Sequence, residues 1–140
     1  MQKHTLLALM LGLSLGMGVV PASAQAGVVQ AKIPFDFIVS GKVLPAGEYT
    51  LVANPHQIKI EDVRRRIVAM VLANDASDYP AAENDQVTFR CYRDRCFLSE
   101  VWSSVQWPHG RQVLPSQAEA KLAREEPGKY FAVLGEKPRK

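Results

Sequence analysis

Apolar and polar positions alternate along most of this chain. Over residues 28–39, Ile33, Phe35 and Phe37 fall on one side and Pro34, Asp36 and Ile38 on the other, the period of a strand. Pro34 has no N–H, so that strand is expected at an edge or bulged there. Ser40-Gly41-Lys42 and Leu44-Pro45-Ala46-Gly47 read as turns before the strand pattern resumes at Tyr49-Thr50-Leu51-Val52. Asn54-Pro55-His56 punctuates again, Ile58 and Ile60 alternate with polar neighbours up to Glu61, and a turn follows near 62–65. Residues 67–72 are apolar throughout, either a strand buried on both faces or a buried helical turn; their β-branched content favours strand. Residues 74–85 and 106–110 read as surface loops. Ser116-x-x-Glu119 after Pro115 is a capping box, opening a helix over 117–126 that Pro127-Gly128 ends. Its apolar stripe of Ala118, Leu122 and Ala123 is thin, so light packing is expected. Residues 130–134 suggest a last strand and 136–140 a frayed tail. About six or seven short strands and one late C-terminal helix make a mainly β chain, an antiparallel β-sandwich or small open barrel.

The most informative stretch is 86–102, two strands joined at Arg93-Asp94. A two-residue loop there sets Cys91 opposite Cys96 in a non-hydrogen-bonded pair, close enough for a disulfide. A four-residue loop leaves them opposed as well. Arg93 is not the glycine or asparagine such turns prefer, and a positive φ there is strained. The pairing puts Val87, Phe89, Cys91, Cys96, Leu98 and Trp102 on one face, taken as core. Thr88, Arg90, Tyr92, Arg95, Phe97, Ser99 and Val101 fall on the other. Glu100 lands on the core side, which asks for an edge position, an ion pair or a bulge.

The first residues change the setting. Lys3, the apolar run 6–20 and Pro21-Ala22-Ser23-Ala24 have the form of a secretory signal peptide over 1–24. The run falls short of the roughly 20 residues a bilayer span asks for. Residues 25–140 are then a single secreted β-rich domain, periplasmic or extracellular, with no membrane span after cleavage. Export also favours the Cys91–Cys96 bridge. Neither thiol catalysis nor zinc binding fits this spacing, which lacks an activating helix N-terminus and a nearby histidine pair. The formal charge is +3. Losing Lys3 leaves 16 basic against 14 acidic residues, a balance that gives little support to a polyanion partner.

Three stretches together are similar to a known group: Ile33-Pro34-Phe35-Asp36-Phe37, Leu44-Pro45-Ala46-Gly47-Glu48-Tyr49, and Tyr92-x-Asp94-x-x-Phe97-Leu98-Ser99-x-Val101-Trp102 followed by the Ser116-x-x-Glu119 helix. Their order resembles small exported proteins of unknown function from acidobacteria and similar soil bacteria. The resemblance implies no activity, cofactor or ligand. This chain departs from it at Cys91 and Cys96, and at Arg93, where glycine is expected.

Candidate chemistry is sparse. His56 and His109 sit in turns without a partner, no metal-ligand spacing exists, and Ser99, Ser103 and Ser104 lack a nucleophile elbow. No cofactor, metal or catalytic residue is therefore assigned. Asp36, Glu48 and Glu100 remain as carboxylates for a small hydrolase. Arg64, Arg65, Arg66, Arg90, Arg93, Arg95 and Arg111, with Tyr92 and Trp107, form a candidate binding rim. Turn arginines also serve to keep a domain soluble and its edges guarded. The leading expectation is an exported, non-catalytic module binding an envelope protein or polysaccharide, with nucleic acid excluded by export. A carboxylate hydrolase and a small-ligand carrier are the alternatives.

Overall fold

The structure is a computed structural model that describes residues 27–76, 84–103 and 110–136. The proposed signal peptide, Trp107, His109 and most of the tail lie outside them.

Ten strands and one helix appear among the described residues: β1 (Gly27–Ile33), β2 (Phe37–Val39), β3 (Lys42–Leu44), β4 (Gly47–Ala53), β5 (Gln57–Glu61), β6 (Ile67–Ala76), β7 (Gln86–Tyr92), β8 (Arg95–Trp102), β9 (Gly110–Val113), α1 (Gln117–Glu125) and β10 (Lys129–Leu134). The chain is mainly β with a late helix, as its alternation requires. The strand number exceeds the six or seven expected for local reasons: besides the two that follow, Lys42–Leu44, read as part of two turns, pairs with β2 as a short strand. Pro34 breaks the first apolar stretch, so β1 stops at Ile33 and β2 starts a separate strand at Phe37. Asn74, Asp75 and Ala76 extend β6 instead of opening a loop, because β9 pairs there, Ala73 opposite Val113 and Ala76 opposite Gly110.

The strands form one open sheet in the order β1-β4-β5-β6-β9-β8-β2-β3, with β7 beside β8 and β10 beside β7. Every pairing is antiparallel except β2 with β8, which meet at Ile38 and Phe97. The sheet curls until β1 and β10 approach. Glu136 N donates to Gln30 O at 2.7 Å, yet no ladder joins the two strands. Inside the curl, Val29, Phe37, Leu51, Ile58, Val87 and Phe89 have no exposure at all. Phe37 meets the rings of Tyr49 and Phe89 edge-on at 5.2 and 5.4 Å. Dense filling of this kind is the main favourable term in the fold.

The stretches behind the resemblance lock two turns together. Asp36 Oδ1 accepts from Ala46 N at 3.0 Å, and Tyr49 Oη donates to Pro45 O at 2.5 Å. These residues hold the crossing between β1 and β2 against the turn before β4.

The hairpin closes on the two-residue turn Arg93-Asp94, with Tyr92 opposite Arg95 and Cys91 opposite Cys96. The disulfide is formed, with the two Cα atoms 4.0 Å apart. Arg93 takes a φ of 55°, the strained conformation foreseen for it. A bulge lies between Thr88 and Phe89, so Thr88 faces Glu100 and Val87 faces Val101. That shift answers the question Glu100 posed. It also corrects the faces: Val101 points into the core, whereas Trp102 is buried on the outer face. There Gly110 lies so close that a Cβ would stand 2.4 Å from the Trp102 ring.

Two further expectations need correction. The apolar run in β6 is a strand but is not buried on both faces, since Ile67, Met70 and Leu72 are 54, 47 and 67 % exposed. The capping box forms only by half: Ser116 Oγ accepts from Glu119 N at 3.2 Å, while the Glu119 side chain turns down onto Arg90. The helix therefore buries its glutamate and leaves Ala118 and Ala123 exposed.

Candidate functional site

The arginines of the proposed rim divide into two kinds. Arg90 on β7 is half-buried, with Nη1 3.8 Å from Glu119 Oε1 and its guanidinium 5.0 Å from the centre of the Tyr130 ring. Burial works against its charge, but the Tyr92 hydroxyl, Tyr130 and Glu119 outweigh that and hold its pKa above the usual arginine value. Glu119 is pushed up by burial, with Arg90 pulling the other way. Arg111 on β9 pairs with Asp75 on β6 across the ladder. Arg90 and Arg111 thus hold elements together. Tyr92 is 2 % exposed and packs edge-on against Phe97 at 6.0 Å. Gly128 fits against it so closely that a Cβ would be 2.9 Å from its ring. Trp107 lies outside the described residues.

The remaining arginines project from turns. At the β5–β6 turn, Asp62 Oδ1 accepts from Arg64 N and Arg66 N at 2.9 and 3.0 Å, and its Oδ2 accepts from Arg66 Nε at 3.0 Å. These bonds, the Arg66 amide first, hold the Asp62 carboxyl below the usual range. They engage Arg66 through its Nε and leave Arg64 and Arg65 without a side-chain tie to Asp62, all three exposed. At the hairpin tip Arg93 Nε lies 3.2 Å from Glu126 Oε1, and Arg95 is exposed. Asn74, Gln112 and Glu100 stand side by side across β6, β9 and β8. Counting back along the parallel strands β6 and β8 brings both turns to the same end of the sheet. That end carries Arg64, Arg65, Arg93 and Arg95.

The three carboxylates are not gathered. Asp36 caps Ala46 N, Glu100 Oε2 accepts from Trp102 Nε1 at 2.8 Å, and Glu48 lies in a separate hollow beside Asp62. In that hollow the Tyr49 phenol is raised by burial first, then by Asp36 and Asp62. Among the described residues no three His, Cys, Asp or Glu side chains gather as a metal site. No described helix is long and apolar enough to cross a membrane.

Two surfaces went unnoticed in the sequence. One is a groove of about 250 Å³ floored by Phe97 and Ile38 and walled by Leu72 and Leu114, with exposed Val43 in the hollow next to it. The charge-free run 67–72 was its one signal. The other is β10, where Tyr130, Phe131 and Leu134 are 61, 48 and 64 % exposed. Compared with known proteins, the chain matches no family model, no curated protein and no solved structure, so its surfaces are read from their own geometry.

Proposed function

We propose that this chain is an exported, non-catalytic module that binds another macromolecule of the cell envelope, protein or polysaccharide, through its outer surface. The observation that carries this reading is the contrast between inside and outside. The curled sheet is filled by side chains with no exposure, which leaves a small ligand little room. Its outer surface meanwhile keeps aliphatic, aromatic and arginine side chains that the fold does not use. Export rests on the form of residues 1–24 and is in keeping with the Cys91–Cys96 bridge, a bond favoured in oxidising compartments. Asp36 and Glu100 are occupied in capping a turn and anchoring a tryptophan, which weighs against a carboxylate hydrolase.

The test is capture of the exported chain from its own envelope fraction after mild cross-linking, with identification of what is retained. A reproducible partner, weakened by Arg64→Ala, Arg65→Ala and Arg95→Ala together or by Leu72→Glu, supports the reading and locates the surface. No retained partner, combined with turnover abolished by Asp36→Asn, would replace it with the hydrolase.

A further inference from the structure

Among the described residues, β10 is bonded on one side only. It pairs with β7 from Lys129 opposite Cys91 to Leu134 opposite Gln86. Beyond the ladder, Gly135 N donates to Asp85 O at 2.7 Å, on the β7 side, while Glu136 N donates to Gln30 O, on the β1 side. Backbone groups alternate sides along an extended strand. Those of Phe131 and Val133 therefore go with Gly135 toward β7. Those of Tyr130, Ala132 and Leu134 face with Glu136 toward β1. The ladder gives β10 no second neighbour, and Tyr130, Ala132 and Leu134 bond no described residue on that side.

The gap beside them has a physical cause. Successive antiparallel steps around the sheet make β10 antiparallel to β1, so counting from Gln30 and Glu136 sets Leu134 beside Lys32 and Ala132 beside Pro34. Pro34 has no N–H to offer, and β1 ends at Ile33. The seam is pinned by the Glu136 bond, and among the described residues no ladder continues from it toward Lys129. Phe35, whose ring lies 4.9 Å from Phe89 and 6.5 Å from Phe131, closes the floor of the seam but not its edge.

Natural edge strands are guarded by a lysine within the strand, a proline, a bulge or a covering element. Lys129 guards the first position of β10; from Tyr130 to Leu134 the strand itself holds neither lysine nor proline, and no bulge interrupts the β7–β10 register. We infer that the free edge of β10 is an acceptor for an extended polypeptide segment of a partner protein, which adds to the sheet as a further strand beside Tyr130 and Ala132. The inference rests on the reading of this chain as a binding module and names the site and the class of partner. Main-chain bonds to Tyr130 and Ala132 supply the pairing, and the exposed rings of Tyr130 on the outer face and Phe131 on the inner face select alternating apolar side chains. A polysaccharide offers hydroxyls without N–H and C=O groups alternating at strand spacing, so this edge selects a peptide.

The exported chain is panned against displayed random dodecapeptides, and enriched peptides are resynthesised for fluorescence anisotropy and for amide exchange by NMR. The expected result is fast exchange at Tyr130 and Ala132 in the free chain, against slow exchange at Phe131 and Val133. Both fast amides become protected when an alternating apolar peptide binds. Ala132→Pro removes an outward N–H without touching the β7 ladder, and Ala132→Lys places a guard on the exposed edge. Each should weaken binding roughly tenfold or more, and the lysine variant, with an unchanged melting curve, keeps the test valid if the proline variant is unstable. No enriched peptide, slow exchange at Tyr130 and Ala132 in the free chain, or unaltered binding by Ala132→Lys would overturn the inference. An envelope partner that is a polysaccharide, or a protein still held by Ala132→Lys, removes this site while leaving the binding module standing. Peptide protection at β10 with no envelope partner retained keeps the site and removes the broader reading.

Discussion

β7 and β10 are neighbours in one sheet, yet they are used in opposite ways. β7 has a strand on each side, and it buries Val87, Phe89 and Cys91 on one face and Tyr92 on the other. Its hairpin is cross-linked to β8 and covered at the outer end by the segment through Gly128. Among the described strands β10 has one partner, and it leaves Tyr130, Phe131 and Leu134 about half or more exposed. Both read as strands from their side chains. What separates them is the number of layers and edges around each. A strand held by one ladder and little burial opens at low cost, and regions of that kind are where binding is accommodated.

The comparison is broken most directly by removing one phenylalanine from each strand. Phe89 has no exposure and touches the rings of Phe35 and Phe37 at 4.9 and 5.4 Å. Phe89→Ala should cost about 3–5 kcal/mol in urea unfolding. Phe131→Ala, in a half-exposed site, should cost less than about 1.5 kcal/mol. Equal losses would mean that β10 is as much part of the core as β7. Next in size is the cross-link. Replacing Cys91 and Cys96 together by alanine should lower stability by about 2 kcal/mol, the loop-closure value for a short loop. Amide exchange should quicken at the hairpin tip and stay unchanged in β4 and β5. A uniform change across the sheet would show that the bridge governs more than its own hairpin.

The same contrast explains how much was readable in advance. The two-residue turn and the opposed cysteines followed from alternation on both sides of Arg93-Asp94, because period-two patterning fixes register locally. The helix start followed from Ser116 and Glu119, but its buried face did not. Glu119 goes down because Arg90 waits on β7, a partner distant in sequence. Likewise β9 was invisible: Gly110, Arg111, Gln112 and Val113 carry no strand pattern, and only pairing with β6 and β8 makes them one. The arginine rim was legible as composition. Its division into bracing and displayed arginines depended on Asp75, Glu119 and Glu126, whose positions are set by tertiary contacts, and on Asp62, which engages Arg66 within its own turn.

Arg93 sharpens the comparison at the hairpin tip by a smaller amount. Its φ of 55° is a conformation glycine adopts freely. Arg93→Gly also gives up the ion pair with Glu126, but the arginine side chain there is 82 % exposed, so that contact contributes little. The net expectation is a gain of about 0.5–1 kcal/mol in the urea midpoint analysis. A loss of similar size would instead mean that Glu126 and Arg93 tie the end of α1 to the hairpin.

The smallest effect concerns the side chain that joins the two strands. Arg90 belongs to β7, lies over Tyr130 of β10 and faces Glu119 of α1. Burial raises the Glu119 pKa more than Arg90 lowers it. The folded chain therefore binds the Glu119 proton more tightly than the unfolded chain. The associated stability is fully present below the unfolded carboxylate value and is lost as pH rises through the raised, folded one. Glu119→Gln keeps a neutral side chain at every pH and removes this dependence. Urea midpoints measured across that window should show the parent losing ground to the glutamine variant as pH rises, and the two running parallel on the acid side. Asp62, whose pKa is lowered, acts with the opposite sign and only at more acidic pH, and it is common to both proteins. Curves parallel across the whole window would show that Glu119 is as easily ionised folded as unfolded, and that α1 lies more loosely on Arg90 than its burial indicates.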